Sequence, residues 1–333
     1  MRVLVTGATG FIGRFGVRAL LEAGHEVRAL VRDRPRAGTL LPAAVELATG
    51  SALDDRAVRT ALDGCDALVQ CAGVYSYDRR HAARVLRETP ALARAVLSAA
   101  LESRTPRIVD IASAVVFTTE TDRVDATTRL ARPGDRVWAD PYARAKVAAE
   151  EFAQALEAGG LPRVTLHPAR VIGPEDSGPG TSGASLIALL RGGLTTDAHG
   201  GWVDVRDVAA AIVAGVGAPS GTHVVLSASS ATYRDLAPRL DALTGRHPRR
   251  TFVPAAALRA LARLNDVAAG RLADLPTAGG LEYVLTCPPV DGLSATAALG
   301  LSYRRFEETL ADAIRWWAAN GTIDSRLAGA LAE

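Results

Sequence analysis

The sequence has 333 residues, of which 48% are hydrophobic and 22% charged, and its formal net charge is +2. These values describe an ordinary globular protein, long enough for two domains or for one large α/β domain with an appended lobe. Because the charges form neither a basic run nor an acidic tail, the composition argues against nucleic acid or a membrane surface as partner.

Short apolar runs alternate with alanine-rich segments in the first half of the chain. The runs predict β-strands at residues 2–6, 26–31, 67–71, 107–111 and 164–167. The segments between them carry apolar residues at three- and four-residue spacing and predict helices near residues 11–23, 54–63, 80–103 and 142–159. This alternation indicates an α/β fold with a doubly wound parallel sheet, covered by helices on both faces.

The alternation ends after Pro168. The glycine- and proline-rich stretch at residues 173–183 predicts a loop, and the rest mixes short helices and strands up to a predicted helix at 306–318. We therefore expect a first domain over residues 1–170 and a smaller mixed α/β substrate-binding lobe over 171–333, with some segments of the lobe returning to the first domain.

The cysteines and histidines give no sign of cross-links or metal ligation. Cys65, Cys71 and Cys287 are an odd number without CxxC spacing, so we expect reduced thiols. The six histidines lack metal-ligand spacing, and we expect no metal. The first residues predict a strand and a glycine turn, no apolar run reaches the length of an export signal or a membrane span, and we expect a cytoplasmic protein.

A glycine-rich turn follows the first predicted strand and opens the first predicted helix. Its sequence, TGATGFIG, places Gly7, Gly10 and Gly13 at GxxGxxG spacing. The first glycine permits a tight turn, the second lets the backbone approach a pyrophosphate, and the third lets helix and strand pack closely. The helix N-terminus adds free N–H groups and partial positive charge. In this position the pattern predicts the dinucleotide site of a Rossmann fold.

The end of the second strand distinguishes the two common dinucleotides. An acidic residue there would bind the adenosine ribose hydroxyls, whereas arginine accommodates a 2′-phosphate. Arg32 follows the strand directly, and Arg14, just after the glycine turn, is a second candidate donor. This favours NADP(H) over NAD(H). Asp33 keeps NAD(H) open, because a shift of one residue would place a carboxylate at the same point.

Further motifs complete a recognisable set. They are CAG at residues 71–73, Ser113 within IASAVVF, and a YxxxK pair formed by Tyr142 and Lys146. With the glycine turn they resemble the extended short-chain dehydrogenase/reductase superfamily. The stretches HPARVIGP at 167–174 and WVDVRDVA at 202–209 are similar to later motifs of that family, so the resemblance covers nearly the whole chain. It is strongest toward the dihydroflavonol reductase and 3β-hydroxysteroid dehydrogenase branch.

The resemblance implies catalytic roles for three of these residues. Tyr142 would be the acid/base, Lys146 its partner, and Ser113 a hydrogen-bond donor to the substrate oxygen. Residues four apart share a helix face, and a nearby ammonium lowers the tyrosine pKa from its ordinary value of about 10. Lys146 is the only lysine among 38 lysine and arginine residues, which indicates a position where arginine cannot substitute.

The resemblance and the glycine turn together give the candidate binding residues. Ser51 stands where the family usually has an adenine-contacting aspartate, and His167 where it has arginine. The candidate cofactor contacts are Gly7, Thr9, Gly10, Phe11, Ile12, Gly13, Arg14, Arg32, Ser51, Ala52, Cys71, Ala72, Gly73, Tyr142, Lys146, Pro168 and Val171. The candidate substrate contacts are Tyr75, Val115, Phe117, Trp138, Arg170 and Trp202.

Three functions fit these residues. The first is an NADPH-dependent carbonyl reductase acting on a hydrophobic, polyketide-, flavonoid- or steroid-like ketone or aldehyde. The second is a nucleotide-sugar epimerase or dehydratase, although such enzymes commonly have asparagine where Arg170 stands. The third is a dinucleotide-binding sensor without turnover, which the Tyr142–Lys146 pair argues against. The family also suggests a homodimer.

Overall fold

Seven parallel strands form the central sheet of the computed structural model, which describes residues 1–176, 180–267 and 281–332. The strands are β1 (Arg2–Thr6), β2 (Glu26–Val31), β3 (Glu46–Thr49), β4 (Ala67–Gln70), β5 (Ile108–Ile111), β6 (Arg163–Pro168) and β10 (His223–Leu226). Their order across the sheet is β10-β6-β5-β4-β1-β2-β3, and every neighbouring pair is parallel. The predicted fold class, a doubly wound parallel sheet of the Rossmann type, is confirmed.

Helices cover both faces of this sheet. They are α1 (Phe11–Glu22), α2 (Arg34–Leu40), α3 (Asp55–Leu62), α4 (Ala82–Glu102), α5 (Pro141–Ala158) and α7 (Val205–Gly217). Side chains alternate between the faces of a strand. Val3 and Val5 of β1 therefore join the core beneath α1 and α7, whereas Leu4 joins the opposite core beneath α3, α4 and α5. Burial on both faces explains why these strands are continuous apolar runs.

The remaining elements form two small sheets and a second core. The strands are β7 (Arg170–Ile172), β8 (Gly193–Thr195), β9 (His199–Asp204), β11 (Ser229–Thr232) and β12 (Arg250–Phe252). The helices are α6 (Gly180–Arg191), α8 (Tyr233–Thr244), α9 (Ala255–Val267), α10 (Leu281–Thr286), α11 (Leu293–Leu299), α12 (Phe306–Ala319) and α13 (Ser325–Ala328). The sheets have the orders β11-β9-β7 and β12-β8. Trp202 and Trp317 are fully buried in the second core.

Some elements differ from the sequence expectation. The pattern missed α2 and the four-residue strands β3 and β10. β3 is an edge strand with exposed ends, so it carries no apolar run, and β10 pairs with β6 although it lies far along the chain. Helix α6 begins at Gly180, inside the predicted loop, because Leu186 and Leu190 pack into the second core. Residues 177–179 of that loop lie outside the described residues.

In the described residues no helix combines the length and the apolar character needed to cross a membrane. Cys65, Cys71 and Cys287 are free thiols. The division at residue 170 stays a prediction.

Candidate active site

The glycine turn has the backbone geometry of an anion site. Gly7 has a φ of +67°, and a Cβ on it would lie 2.6 Å from the backbone nitrogen of Ala72. A Cβ on Gly13 would overlap the carbonyl oxygen of Gly7. Gly10 caps α1 without a side-chain hydrogen bond, and the first turn of α1 contains no acidic residue. The N–H groups of that turn are therefore available to phosphate oxygens, and the turn fits a dinucleotide.

The end of β2 presents one free guanidinium. The Asp33 carboxylate caps α2 and accepts a hydrogen bond from the backbone nitrogen of Arg36 at 3.0 Å. Arg34 donates to the carbonyl oxygen of Leu47 at 2.7 Å. Arg32 is exposed, and its side chain makes no hydrogen bond or ion pair with any residue that the structure describes.

Other candidate cofactor residues have partners within the protein. Arg14 donates to the carbonyl oxygen of Glu175 at 2.9 Å and lies 3.7 Å from its carboxylate. The Ser51 hydroxyl, beyond the end of β3, accepts a hydrogen bond from the Leu53 nitrogen at 3.2 Å. A phosphate bound by Arg14 would have to share the guanidinium with Glu175.

A cleft of about 300 Å³ opens at the carboxyl ends of β1, β4, β5 and β6. β1 and β4 are neighbours in the sheet, but the chain continues from β1 to β2 on one side and from β4 to β5 on the other. Ligands of open α/β sheets bind where the strand order reverses in this way. The cleft brings together these predicted residues: Gly7, Gly10, Phe11, Ile12, Gly13, Cys71, Gly73, Tyr75, Ser113, Val115, Tyr142, Lys146, Pro168, Arg170 and Val171.

The other predicted residues do not line this cleft. Phe117 is buried behind it against His167, Trp138 is half-buried in a 3₁₀ turn, and Trp202 lies beneath Arg170 in the second core. Phe117 and Trp202 belong instead to two buried cores, and Trp138 packs partly buried against the core that contains Phe117. Thr9, Arg14, Arg32, Ser51, Ala52 and Ala72 also lie outside the lining.

Sequence reasoning missed part of the wall. The missed members include Val74, Ala169, Asp176 and Tyr283. Tyr77 also lines the cleft, and the YSY stretch at residues 75–77 indicates it together with Tyr75. Tyr283 belongs to α10 and carries no motif that could have indicated it.

Tyr142, the predicted acid/base, lies at the start of α5. Asp140 caps this helix and accepts a hydrogen bond from the Tyr142 nitrogen at 2.9 Å, and Pro141 occupies the first helical position. Burial raises the pKa of Tyr142 well above its ordinary value, the nearby Tyr75 adds to the rise, and the Ser113 side chain opposes it. The phenol is therefore protonated at neutral pH.

Lys146 lies one helical turn after Tyr142. Its Nζ donates to the carbonyl oxygen of Ile111 at 3.3 Å. Burial lowers the pKa of the ammonium, and the carboxylates of Asp110 and Glu150 oppose that shift. The sequence therefore surrounds this lysine with groups that favour its charged form.

A buried ion-pair network supports those carboxylates. Arg163, whose side chain is 0% exposed, lies 3.1 Å from Asp110, 2.9 Å from Glu150 and 2.9 Å from Glu157. Because three carboxylates face one guanidinium, the network leaves negative charge beside the Lys146 ammonium. Removing the arginine would leave buried carboxylates without a counter-charge.

The same region contains a geometric cluster that could be taken for a metal site. Glu150, His167 and His223 offer ligand atoms within 4.8 Å of one another. However, Arg163 already donates to both oxygens of Glu150, at 3.0 and 2.9 Å. The cluster therefore fits an ion-pair network better than a cation.

His167 is a buried histidine beside Ser113. Its ring is 2% exposed and lies 4.8 Å from the Phe117 ring, and the Ser113 backbone is close enough to raise its pKa. Burial lowers the pKa of His167 to about 4, although the charge of Glu150 opposes this. The imidazole is therefore neutral at pH 7.

We expect the buried His167 to make stability pH-dependent. Its folded pKa of about 4 lies below the ordinary 6.5, so the unfolded chain takes up the proton first as pH falls. Between pH 6.5 and 4 the residue should remove about 3 kcal/mol of stability. The unfolding free energy of His167→Asn minus that of wild type should therefore rise by about 3 kcal/mol as the pH is lowered from 6.5 to 4. Urea denaturation of both proteins at each pH measures this difference.

The comparison must be with wild type at each pH, because burial raises the pKa of Asp140 to about 6 and acts in the opposite direction. His247→Asn, at a side chain that is 79% exposed, is the matched control. If the unfolding free energies of wild type and His167→Asn changed equally with pH, His167 would not have the lowered pKa.

The architecture and the site match a known family. Residues 3–227 match the model described as the NAD dependent epimerase/dehydratase family. The chain belongs to this family. Its members bind a nicotinamide dinucleotide, and the protein is an NAD(P)-dependent oxidoreductase of the extended short-chain dehydrogenase/reductase type.

Relatives match over most of the chain. A Synechocystis sp. protein named for dihydroflavonol 4-reductase is 26% identical over 331 residues, which cover 97% of this chain and 96% of that protein. Cinnamoyl-CoA reductase 1 of Arabidopsis thaliana is 32% identical over 256 residues, which cover 70% of this chain and 71% of that protein. The solved structure of gox2253 has a TM-score of 0.81 at 24% identity, covers 97% of this chain and 99% of its own, and shares the fold.

Proposed function

We propose that the protein is an NADPH-dependent carbonyl reductase that interconverts a hydrophobic ketone or aldehyde and its alcohol. The observation that carries this proposal is the cleft itself, whose wall brings Tyr142, Ser113 and Lys146 together with the glycine turn. The reductase names of the two relatives support it.

Each polar side chain has a distinct task in the proposed reaction. Bound nicotinamide supplies the hydride for reduction and accepts it in the reverse direction. Ser113 donates a hydrogen bond to the substrate oxygen and polarises the carbonyl. Tyr142 gives its phenolic proton to that oxygen as negative charge develops there. Lys146 places a positive charge near the phenolate that remains.

The end of β2 supports NADPH over NADH. One oxygen of the Asp33 carboxylate, Oδ1, caps α2 by accepting the Arg36 N–H. Arg32 is exposed beside it, and a guanidinium suits a phosphate dianion.

Replacing Arg32 tests this choice. We expect Arg32→Ala to raise the Kd for NADPH about 10- to 100-fold, since a hydrogen bond to a charged group contributes about 1.5–3 kcal/mol. The Kd for NADH should not change, because NADH has no 2′-phosphate. Titration of protein fluorescence with each cofactor measures both. Arg34→Ala is the matched control, because Arg34 donates to a backbone carbonyl. Equal affinity of the wild-type protein for NADH and NADPH would refute the assignment.

A carbonyl panel tests the function itself. A reductase oxidises NADPH in proportion to the alcohol formed. An epimerase or dehydratase converts a sugar nucleotide without net cofactor oxidation, and a sensor binds cofactor without either reaction. The homodimer and the cytoplasmic location stay predictions.

A further inference from the structure

Arg170 is a buried cation in the wall of the cleft. It lies on β7 opposite Trp202 of β9, and the residue is 6% exposed. Its guanidinium carbon lies 5.1 Å from the Trp202 ring centroid. A Cβ on Gly200 would come within 3.1 Å of the same carbon. The glycine therefore leaves the space that the guanidinium occupies.

The partners of Arg170 are neutral. Its Nη1 donates to the Tyr233 hydroxyl at 3.0 Å, and its Nη2 donates to the carbonyl oxygen of His199 at 3.4 Å. Arg163 is the other arginine in the buried class among the described residues, and it has three carboxylates around it. No described carboxylate forms an ion pair with Arg170. A buried charge without a counter-charge is costly. An anion from outside the chain would therefore stabilise this cation.

Aromatic rings connect Arg170 with the reacting end of the cleft. The Tyr283 ring centroid lies 5.7 Å from its guanidinium carbon. The Tyr77 ring lies 5.1 Å from the Tyr142 ring, and Tyr77 is close enough to Arg170 for their charges to interact. The guanidinium and Tyr142 thus line one cleft together with the rings of Tyr77 and Tyr283.

We propose that Arg170 binds a carboxylate on the substrate, so that the enzyme prefers apolar carbonyl compounds that also carry a carboxylate. This assignment rests on the proposed reductase function and adds a substrate class to it. The tyrosine rings would contact the apolar body between the two polar groups.

The other charges in the cleft are compatible with this assignment. Lys146 is a cation at the catalytic end. Asp176 also lines the cleft, but it is engaged in an interaction of its own and is not ion-paired with Arg170. A substrate carboxylate at Arg170 would therefore gain a counter-charge that no described carboxylate supplies.

A matched pair of ketones tests the proposal. Values of kcat/KM are measured with NADPH for 4-acetylbenzoate and for its uncharged methyl ester, using wild type, Arg170→Met and Arg250→Met. We expect wild type to favour the acid at least about tenfold, the lower range for a hydrogen bond to a charged group. Arg170→Met should bring the ratio to about one. Arg250→Met should keep the wild-type ratio, because Arg250 is a similarly buried arginine that pairs with Asp241 away from the cleft.

The outcomes separate the two proposals. Equal kcat/KM for acid and ester in wild type overturns the role of Arg170 while leaving the reductase function standing, and this measurement needs no variant to fold. An unchanged acid preference in folded Arg170→Met overturns it too. Absence of NADPH oxidation with this pair and with the whole carbonyl panel, or conversion of UDP-glucose instead, overturns the reductase function itself.

Discussion

Replacing Tyr142 with phenylalanine should reduce kcat for ketone reduction by about 10²- to 10⁴-fold, the usual contribution of a positioned general acid. The ring that packs against Tyr75 and Tyr77 remains, so the cleft keeps its shape. The proton donor is lost, and the negative charge on the substrate oxygen keeps only the Ser113 hydrogen bond. NADPH affinity should stay near wild type. Single-turnover NADPH oxidation with a saturating ketone measures the chemical step.

Tyr303→Phe is the matched control. Tyr303 is also partly buried and donates to the Gly292 carbonyl oxygen at 3.1 Å, but it does not line the cleft. Its loss should cost about 1 kcal/mol of stability and leave kcat unchanged. If Tyr142→Phe reduced ketones at the wild-type rate, another group would have to donate the proton.

The sequence predicted β1, β2, β4, β5 and β6, whose side chains are mostly buried. β1 reads as one apolar run because Leu4 faces one core while Val3 and Val5 face the other. Edge strand β3 has no such pattern, and β10 is placed beside β6 by long-range pairing. Local periodicity carries no information about that pairing.

The relation between Tyr142 and Lys146 was also predictable, because it is local in the chain. A helix places residues four apart on one face, which defines the relation of Tyr142 and Lys146 from their spacing alone. The substrate wall is different. Tyr77 and Tyr283 come from segments about 200 residues apart in sequence, and no spacing rule joins them. The buried partners of the wall, such as Trp202, could not be told apart from lining residues without the fold.

The surroundings of Lys146 explain why the chain keeps its only lysine here. The ammonium donates to the Ile111 carbonyl oxygen and lies half-buried in the cleft wall, where Asp110 and Glu150 favour its charge. An ammonium is compact, whereas a guanidinium is planar and larger. Protein interiors are close-packed, so the larger group must displace its neighbours.

We therefore expect Lys146→Arg to lower kcat/KM about 100-fold or more, even though the positive charge is retained, because a displacement of about 1 Å in a catalytic group can cost this much. Steady-state kinetics with NADPH and a ketone measure the change. Arg144→Lys, the reverse exchange two residues away and outside the cleft lining, should keep activity near wild type. Near-full activity in Lys146→Arg would mean that charge alone is needed at this position, and the rarity of lysine in the chain would then carry no information about the site.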